Sequence, residues 1–415
     1  MDGDVRAMTV LSQSDHVIVV GAGLAGWRFA EAMRREGYLG ALTLVGEELV
    51  VPYDRPPLSK QVLSGKWTVD KTVLATDERL AQVDATLQLG VAASGLDVAT
   101  TTVHLADGSS IAGSHVVIAT GSRARRLDFS ADRRIHTLRT IDDAQRLVDD
   151  VERLTPHMIV AVIGGGFIGA EVATALRARS LRPIVLEAAN RPLVSVLGPE
   201  VSGWLESLAS LAGIELRNDQ RIVDVLEDGD DLRVLFDDGH DLVCGAVVLG
   251  VGAQANDEWL ATSGLTLANG VVVDQHLLAT PRVGAIGDVA RFELRTAAGV
   301  ELTRLEHWQV ANDHASALAH WWMTGTAPAT PLIPYFWSDQ YGKKIQLLGH
   351  PSPGDDVLRV SGSDELEKWL ALYSRDGVIT GVVTLSQPRA LMLAKPLLES
   401  PTSIGEALVL APWAG

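Results

Sequence analysis

Two stretches of this 415-residue chain set three glycines at the spacing of a strand-to-helix turn: Gly21-Ala22-Gly23-Leu24-Ala25-Gly26 and Gly164-Gly165-Gly166-Phe167-Ile168-Gly169. A helix that begins on such a turn offers free N–H groups and the positive end of its dipole, a place that suits a pyrophosphate. The first glycine makes the turn, the second lets a phosphate approach the backbone, and the third lets helix pack on strand. Each turn is followed by an acid at the distance from which a carboxylate accepts hydrogen bonds from an adenosine ribose. Glu47 lies 21 residues beyond Gly26, and Glu187 lies 18 beyond Gly169. A glycine turn alone often serves only packing, but turn and acid together point to a dinucleotide at each place.

The flanking patterns supply the elements that such turns need. His16–Val20 is a continuous apolar run that reads as a buried parallel strand, Trp27–Gly37 follows in helical order, and Ala41–Val45 is a second strand ending beside Glu47. The second copy reads Met158–Ile163 as strand, Glu171–Ser180 as helix and Pro183–Leu186 as strand. The two turns begin 143 residues apart, a duplication on the scale of a domain. Val116–Gly121 and Val247–Gly252 are matching strands that run into glycine, and Pro281–Asp288 is a shorter apolar stretch. Pro328, Pro331 and Pro334 mark a linker. Beyond it, segments near Ile345 and Leu358, Trp369–Tyr373 and Val378–Leu385 read as an antiparallel sheet, with helices over Arg389–Ser400 and Ile404–Leu410. The expected class is α/β: two Rossmann-like dinucleotide-binding domains and a small α+β C-terminal domain.

Composition narrows the chemistry. With 35 Lys and Arg against 52 Asp and Glu, the net charge of −17 disfavours general binding to nucleic acid or anionic membrane. Cys244 is the one cysteine, so an internal disulfide, a redox cysteine pair and a four-cysteine iron–sulfur site are excluded. The 11 histidines show no metal-ligand spacing, and no metal is expected. Met1–Gln13 does not read as a signal peptide and no run of ~18 apolar residues exists, which favours the cytoplasm. Two dinucleotide sites suggest FAD as resident cofactor and a nicotinamide dinucleotide as exchanging one. Glu187 favours NAD over NADP because a carboxylate repels a 2′-phosphate, although Arg191 is near in sequence. With no internal disulfide to reduce, electrons must leave to an external acceptor.

These motifs resemble the FAD-dependent NADH:ferredoxin reductases of bacterial oxygenase systems, which have the glutathione-reductase-like fold. The resemblance runs from about His16 to Leu410. Its most specific part is Pro52-Tyr53-Asp54-Arg55-Pro56-Pro57-Leu58-Ser59-Lys60. It implies that Lys60 lies over the flavin and pairs with Glu171, which would sit beside the nicotinamide, with Phe167 stacking or gating there. It further implies FAD contacts at Arg55, Pro56, Ala93, Thr120, Gly121, Arg139, Gly287, Asp288, His307 and Trp308, and a nicotinamide-dinucleotide contact at Gly252. Phe336-Trp337-Ser338-Asp339-Gln340 matches the start of the family's C-terminal domain. The implied division is 14–122 with 258–328 for FAD, 123–257 for NAD and 329–415 as an interface domain.

The resemblance implies hydride transfer from NADH to the flavin and single-electron delivery to a 2Fe-2S ferredoxin. Arg295, Arg304, Lys343 and Lys344 are the candidates for a local basic docking surface. Two rival readings are an NADH oxidase or quinone reductase without a protein acceptor, and a redox-sensing protein of the apoptosis-inducing-factor type. Trp321 and Trp322 read as core aromatics, and Cys244 as a small buried hydrophobe.

Overall fold

A computed structural model describes residues 10–131, 133–296, 299–327, 332–363 and 367–414. Pro328 and Pro331 of the expected linker lie outside these residues, as does most of Met1–Gln13. The apolar run His16–Val20 is the central strand of a six-stranded sheet. On one side it pairs in parallel with Ala41–Gly46, which pairs with Thr86–Leu89; on the other it pairs with His115–Ile118. Val283–Ala285 then adds in parallel to His115–Ile118, and Leu278–Thr280 closes the edge antiparallel. Val17, Ile18 and Val19 are fully buried because both faces are covered, which is why this strand reads as uninterrupted apolar sequence. Helices Leu24–Arg35 and Trp308–Thr324 pack on each other and bring Trp27, Phe29, Met33 and Leu318 into that core.

The second sheet repeats the plan with five parallel strands in the order Glu215–Arg217, Arg182–Leu186, Ile159–Ile163, Ala246–Leu249, Ile135–Thr137. In both sheets the strand before the glycine turn has its immediate successor on one side and a later strand on the other. The connections therefore diverge there, and a crevice opens at the strand's C-terminal end. Both helices start earlier than the sequence pattern suggests, at Leu24 and Phe167, inside the turns themselves. Gly23 and Gly166 are the extended N-cap residues, so the third glycine of each turn is already helical. Glycine's low helix propensity hides this start from a pattern reading.

The C-terminal sheet is antiparallel in the order Tyr335–Gln340, Lys343–Gly349, Val378–Leu385, Lys368–Arg375, Asp356–Ser363. Its pleat sends alternate residues to opposite cores. Trp369, Ala371 and Tyr373 pack with Leu197, Val201 and Leu205 of helix Val194–Leu211, whereas Leu370 and Leu372 pack with Leu391, Ala394 and Leu397. The first contact docks this domain on the second nucleotide unit. Tyr373 Oη donates to Leu197 O at 2.7 Å, and the Arg359 guanidinium lies 3.9 Å over the Trp204 ring. The helix expected over Arg389–Ser400 is instead an α-helix Pro388–Ala394 followed by a 3-10 turn Lys395–Leu398, broken at Pro396, which lacks the N–H to continue. Trp322 is 3% exposed and packs edge-on against Phe29, a core role. Cys244 is buried at the end of strand Asp241–Cys244, and burial pushes its thiol up to about 11.

Candidate active site

The crevice in front of the first glycine turn widens into a cleft of about 1000 Å³, at the large end of the range for ligand sites. Gly21, with φ +117, brings the backbone so close to the neighbouring strand that a Cβ would stand 2.1 Å from Ala119 O. A Cβ on Gly23 would have only Arg55 Nη2 within 4.0 Å, so this glycine leaves the cleft floor open. A Cβ on Gly26 would meet Gly21 O at 2.0 Å, so this third glycine holds the helix on the strand and does not line the cleft. The open face of Gly23 suits a phosphate against the backbone. Glu47, exposed at the rim with no partner among the described residues, suits a ribose hydroxyl.

Leu24, Ala25, Arg55, Pro56, Ala93, Thr120, Gly121, Arg139, Asp288 and Trp308 all line the same cleft. Gly287 and His307 are not among the lining residues: a Cβ on Gly287 would press on Ala25 Cβ at 2.8 Å, and His307 is the extended residue directly before the helix that opens with Trp308. Arg55 is fixed by Glu48 Oε1 and Tyr53 Oη, at 2.7 and 2.6 Å. Arg139 pairs with Asp288 Oδ2 at 2.7 Å, and Ser122 Oγ donates to the same oxygen at 3.0 Å. Thr120 serves as a brace, its hydroxyl donating to Asn256 O at 2.7 Å. Trp308 Nε1 donates to Asp54 Oδ1 at 2.8 Å, while burial pushes the Asp54 carboxyl up. Burial likewise lowers His307 to about 4, and its Nδ1 is buried without a partner.

The second turn has the same geometry. A Cβ on Gly164 would meet Gly250 O at 2.4 Å, one on Gly169 would meet Gly164 O at 2.0 Å, and Gly166 has only Gly250 O at 3.8 Å. Gly252, with φ +95, has nothing within 4 Å of a Cβ. Glu187 accepts the Gly165 and Ala189 N–H groups at 2.7 and 2.8 Å, one on each oxygen. A carboxylate has lone pairs left for a ribose hydroxyl. Arg191 donates to Pro199 O at 3.0 Å and lies 3.8 Å from Glu206.

The two units meet where Phe167, Ile168 and Glu171 enter the large cleft. Lys60 Nζ lies 2.7 Å from Glu171 Oε2, and both side chains are shielded, at 13% and 3% exposure. Lys60 lies within Leu58–Val62, which winds as a single π-turn, a local irregularity common at functional sites. Two further residues hold the carboxylate that sequence reasoning did not single out. Ser59 Oγ donates to Oε2 and Ser338 Oγ to Oε1, both at 2.6 Å. Both lie inside the quoted motifs, but a serine has no spacing rule that marks such a role. Phe167 packs on Phe336 with ring centroids 4.3 Å apart, and Phe336 is 5.2 Å from the His307 ring.

The four basic docking candidates all have acidic partners within the chain. Arg295 lies 3.7 Å from Glu293, Arg304 lies 2.7 Å from Glu306, Lys344 lies 2.7 Å from Asp339, and Lys343 pairs with Glu367. Sequence separation hides the Lys343 partner: Glu367 directly precedes strand Lys368–Arg375, two places away in the sheet.

Two family models match: that described as pyridine nucleotide-disulphide oxidoreductase over residues 15–315, and that described as reductase C-terminal over 335–413. The benzene 1,2-dioxygenase system ferredoxin–NAD(+) reductase subunit of Pseudomonas putida is 35% identical over 392 residues, 93% of each chain. Rhodocoxin reductase of Rhodococcus erythropolis is 34% identical over 387 residues, 92% of this chain and 89% of its own. The crystal structure of the covalent putidaredoxin reductase–putidaredoxin complex matches with a TM-score of 0.89 at 28% identity, covering 97% of this chain and 99% of that one. Agreement of this extent, along both nucleotide units and the C-terminal sheet, makes the chain a member of the pyridine nucleotide-disulphide oxidoreductase family, in its group of ferredoxin–NAD(+) reductases.

Proposed function

We propose that this chain oxidises NADH at a bound FAD and delivers the electrons singly to a 2Fe-2S ferredoxin that feeds a monooxygenase or dioxygenase. The observation that carries this reading is the shielded Lys60–Glu171 pair at the meeting point of two dinucleotide crevices. FAD supplies the redox chemistry, accepting a hydride and releasing one electron at a time. The chain's residues bind, orient and shield.

Gly21 and Gly23 with the start of helix Leu24–Arg35 would face the FAD pyrophosphate, Glu47 its adenosine ribose, and Arg139 and Asp288 the sugar chain. Lys60 presents an ammonium whose counter-charge is buried beneath it, so it can favour negative charge developing in the cleft. Glu187 and the second turn would orient the NADH adenosine half, and Phe167 with Phe336 would screen the reacting face from water. Arg191, turned toward Pro199 and Glu206, supports NADH over NADPH. Membership of the sheets supports a division into 14–122 with 258–328, 123–257, and 329–415. No described helix is long and apolar enough to cross a membrane, and we assign the activity to the cytoplasm.

Anaerobic titration of the purified protein with NADH and NADPH tests the first half. Its yellow colour should bleach with NADH at lower concentration. A ferredoxin added with cytochrome c as reporter tests the second. Rapid NADH oxidation that needs no protein acceptor would make the chain an oxidase instead.

A further inference from the structure

Glu171 is the most deeply buried charged side chain of the cleft, and a carboxylate at that depth needs partners. Its two oxygens are held differently. Oε2 has Lys60 Nζ and Ser59 Oγ; Oε1 has Ser338 Oγ alone. Ser338 belongs to the first strand of the C-terminal sheet and is fully buried. Its oxygen also receives Gln340 Nε2 at 3.3 Å. A hydroxyl has one proton to give, and that donor from Gln340 leaves it for Glu171. The last torsion of a glutamate is soft, so a carboxylate gripped at one oxygen swings.

We propose that Ser338 is a positioning residue for hydride transfer. By holding Oε1 it fixes the plane of the Glu171 carboxylate, keeps Oε2 on Lys60, and joins the C-terminal domain by one hydrogen bond to the pair at the reacting face. Phe336, two residues earlier on the same side of the strand, packs on Phe167, so one strand sets both the aromatic screen and the carboxylate. The proposal rests on the function proposed above.

The experiment compares wild type, Ser338→Ala, Ser338→Thr and Gln340→Met, each loaded with FAD. It reads single-turnover bleaching by NADH, the NADH dissociation constant, the long-wavelength charge-transfer absorbance of the NADH-treated enzyme, and Tm. Ser338→Ala should slow bleaching about tenfold and change the charge-transfer absorbance, with NADH affinity within about twofold. Ser338→Thr, which keeps the hydroxyl, should recover the rate. Gln340→Met should slow bleaching less and in the same sense, and it decides the matter if Ser338→Ala does not fold. A Ser338→Ala enzyme that melts lower but bleaches at the wild-type rate makes Ser338 a packing residue and overturns the proposal. A threonine variant as slow as the alanine one does the same, as does an unchanged Gln340→Met where it must decide. Wild-type flavin that NADH does not bleach overturns the functional reading itself, an outcome that needs no variant to detect.

Discussion

At the scale of single residues, charge burial decides what the site tolerates. Lys60→Gln leaves Glu171 without its counter-ion, and breaking a pair at this depth costs about 3–5 kcal/mol. Urea unfolding of the variant should show a loss of that order, and flavin bleaching by NADH should slow at least tenfold. His314 gives a pH-dependent counterpart. Its ring is buried edge-on against Phe292, its Nδ1 accepts the Gly287 N–H at 3.3 Å, and burial lowers it from 6.5 to about 3. Above pH 6.5 neither folded nor unfolded chain protonates this group. As pH falls below that value the unfolded chain gains a proton that the folded one refuses, so stability drops steadily toward pH 3. His307, lowered to about 4, adds to the same slope. His314→Asn keeps an acceptor for Gly287 and removes the titration. Its Tm should fall less than the wild-type Tm between pH 8 and pH 5.

At the scale of elements, the two glycine turns are built alike and should fail differently. Gly26→Ala drives a methyl to 2.0 Å from Gly21 O, and Gly169→Ala does the same against Gly164 O. Backbone must shift in either case. Gly26→Ala should purify with little FAD. Gly169→Ala should keep its yellow colour and show a KM for NADH raised about tenfold or more. The flavin-to-protein absorbance ratio and steady-state kinetics separate the two. These turns and their acids were legible from sequence because each signal is local: glycine spacing, apolar runs and a glutamate at fixed distance. The Lys60–Glu171 pair, 111 residues apart, was reached only through the family motif. Ser59 and Ser338 stayed invisible because their role exists only once three separate stretches of chain meet around one carboxylate. The helix starts were misplaced for a simpler reason, that glycine does not look helical.

At the scale of the whole molecule, the four basic docking candidates each have an acidic partner within the chain. Lys343 and Lys344 face Glu367 and Asp339, and exposed pairs of this kind are worth about 0–1 kcal/mol. Charge reversal at both lysines should therefore change the rate of ferredoxin reduction only modestly, about twofold at low ionic strength, and the difference should vanish as salt screens the surface. A larger, salt-sensitive loss would show that a partner competes with the internal acids for these lysines. The Lys344 pairing follows from the antiparallel sheet, which sets Asp339 directly opposite it. Sequence composition alone reported the total charge and said nothing of its distribution.

The single cysteine has a consequence for the conditions in which this molecule can work. Cys244 sits at a strand end behind Leu232 and Leu242, and its proton is held to about 11. Near neutral pH the chain therefore presents almost no thiolate, the form that peroxides and alkylating agents attack. The thiol of this chain is thereby kept out of reach of the oxidants and alkylating agents that would disable a more acidic one.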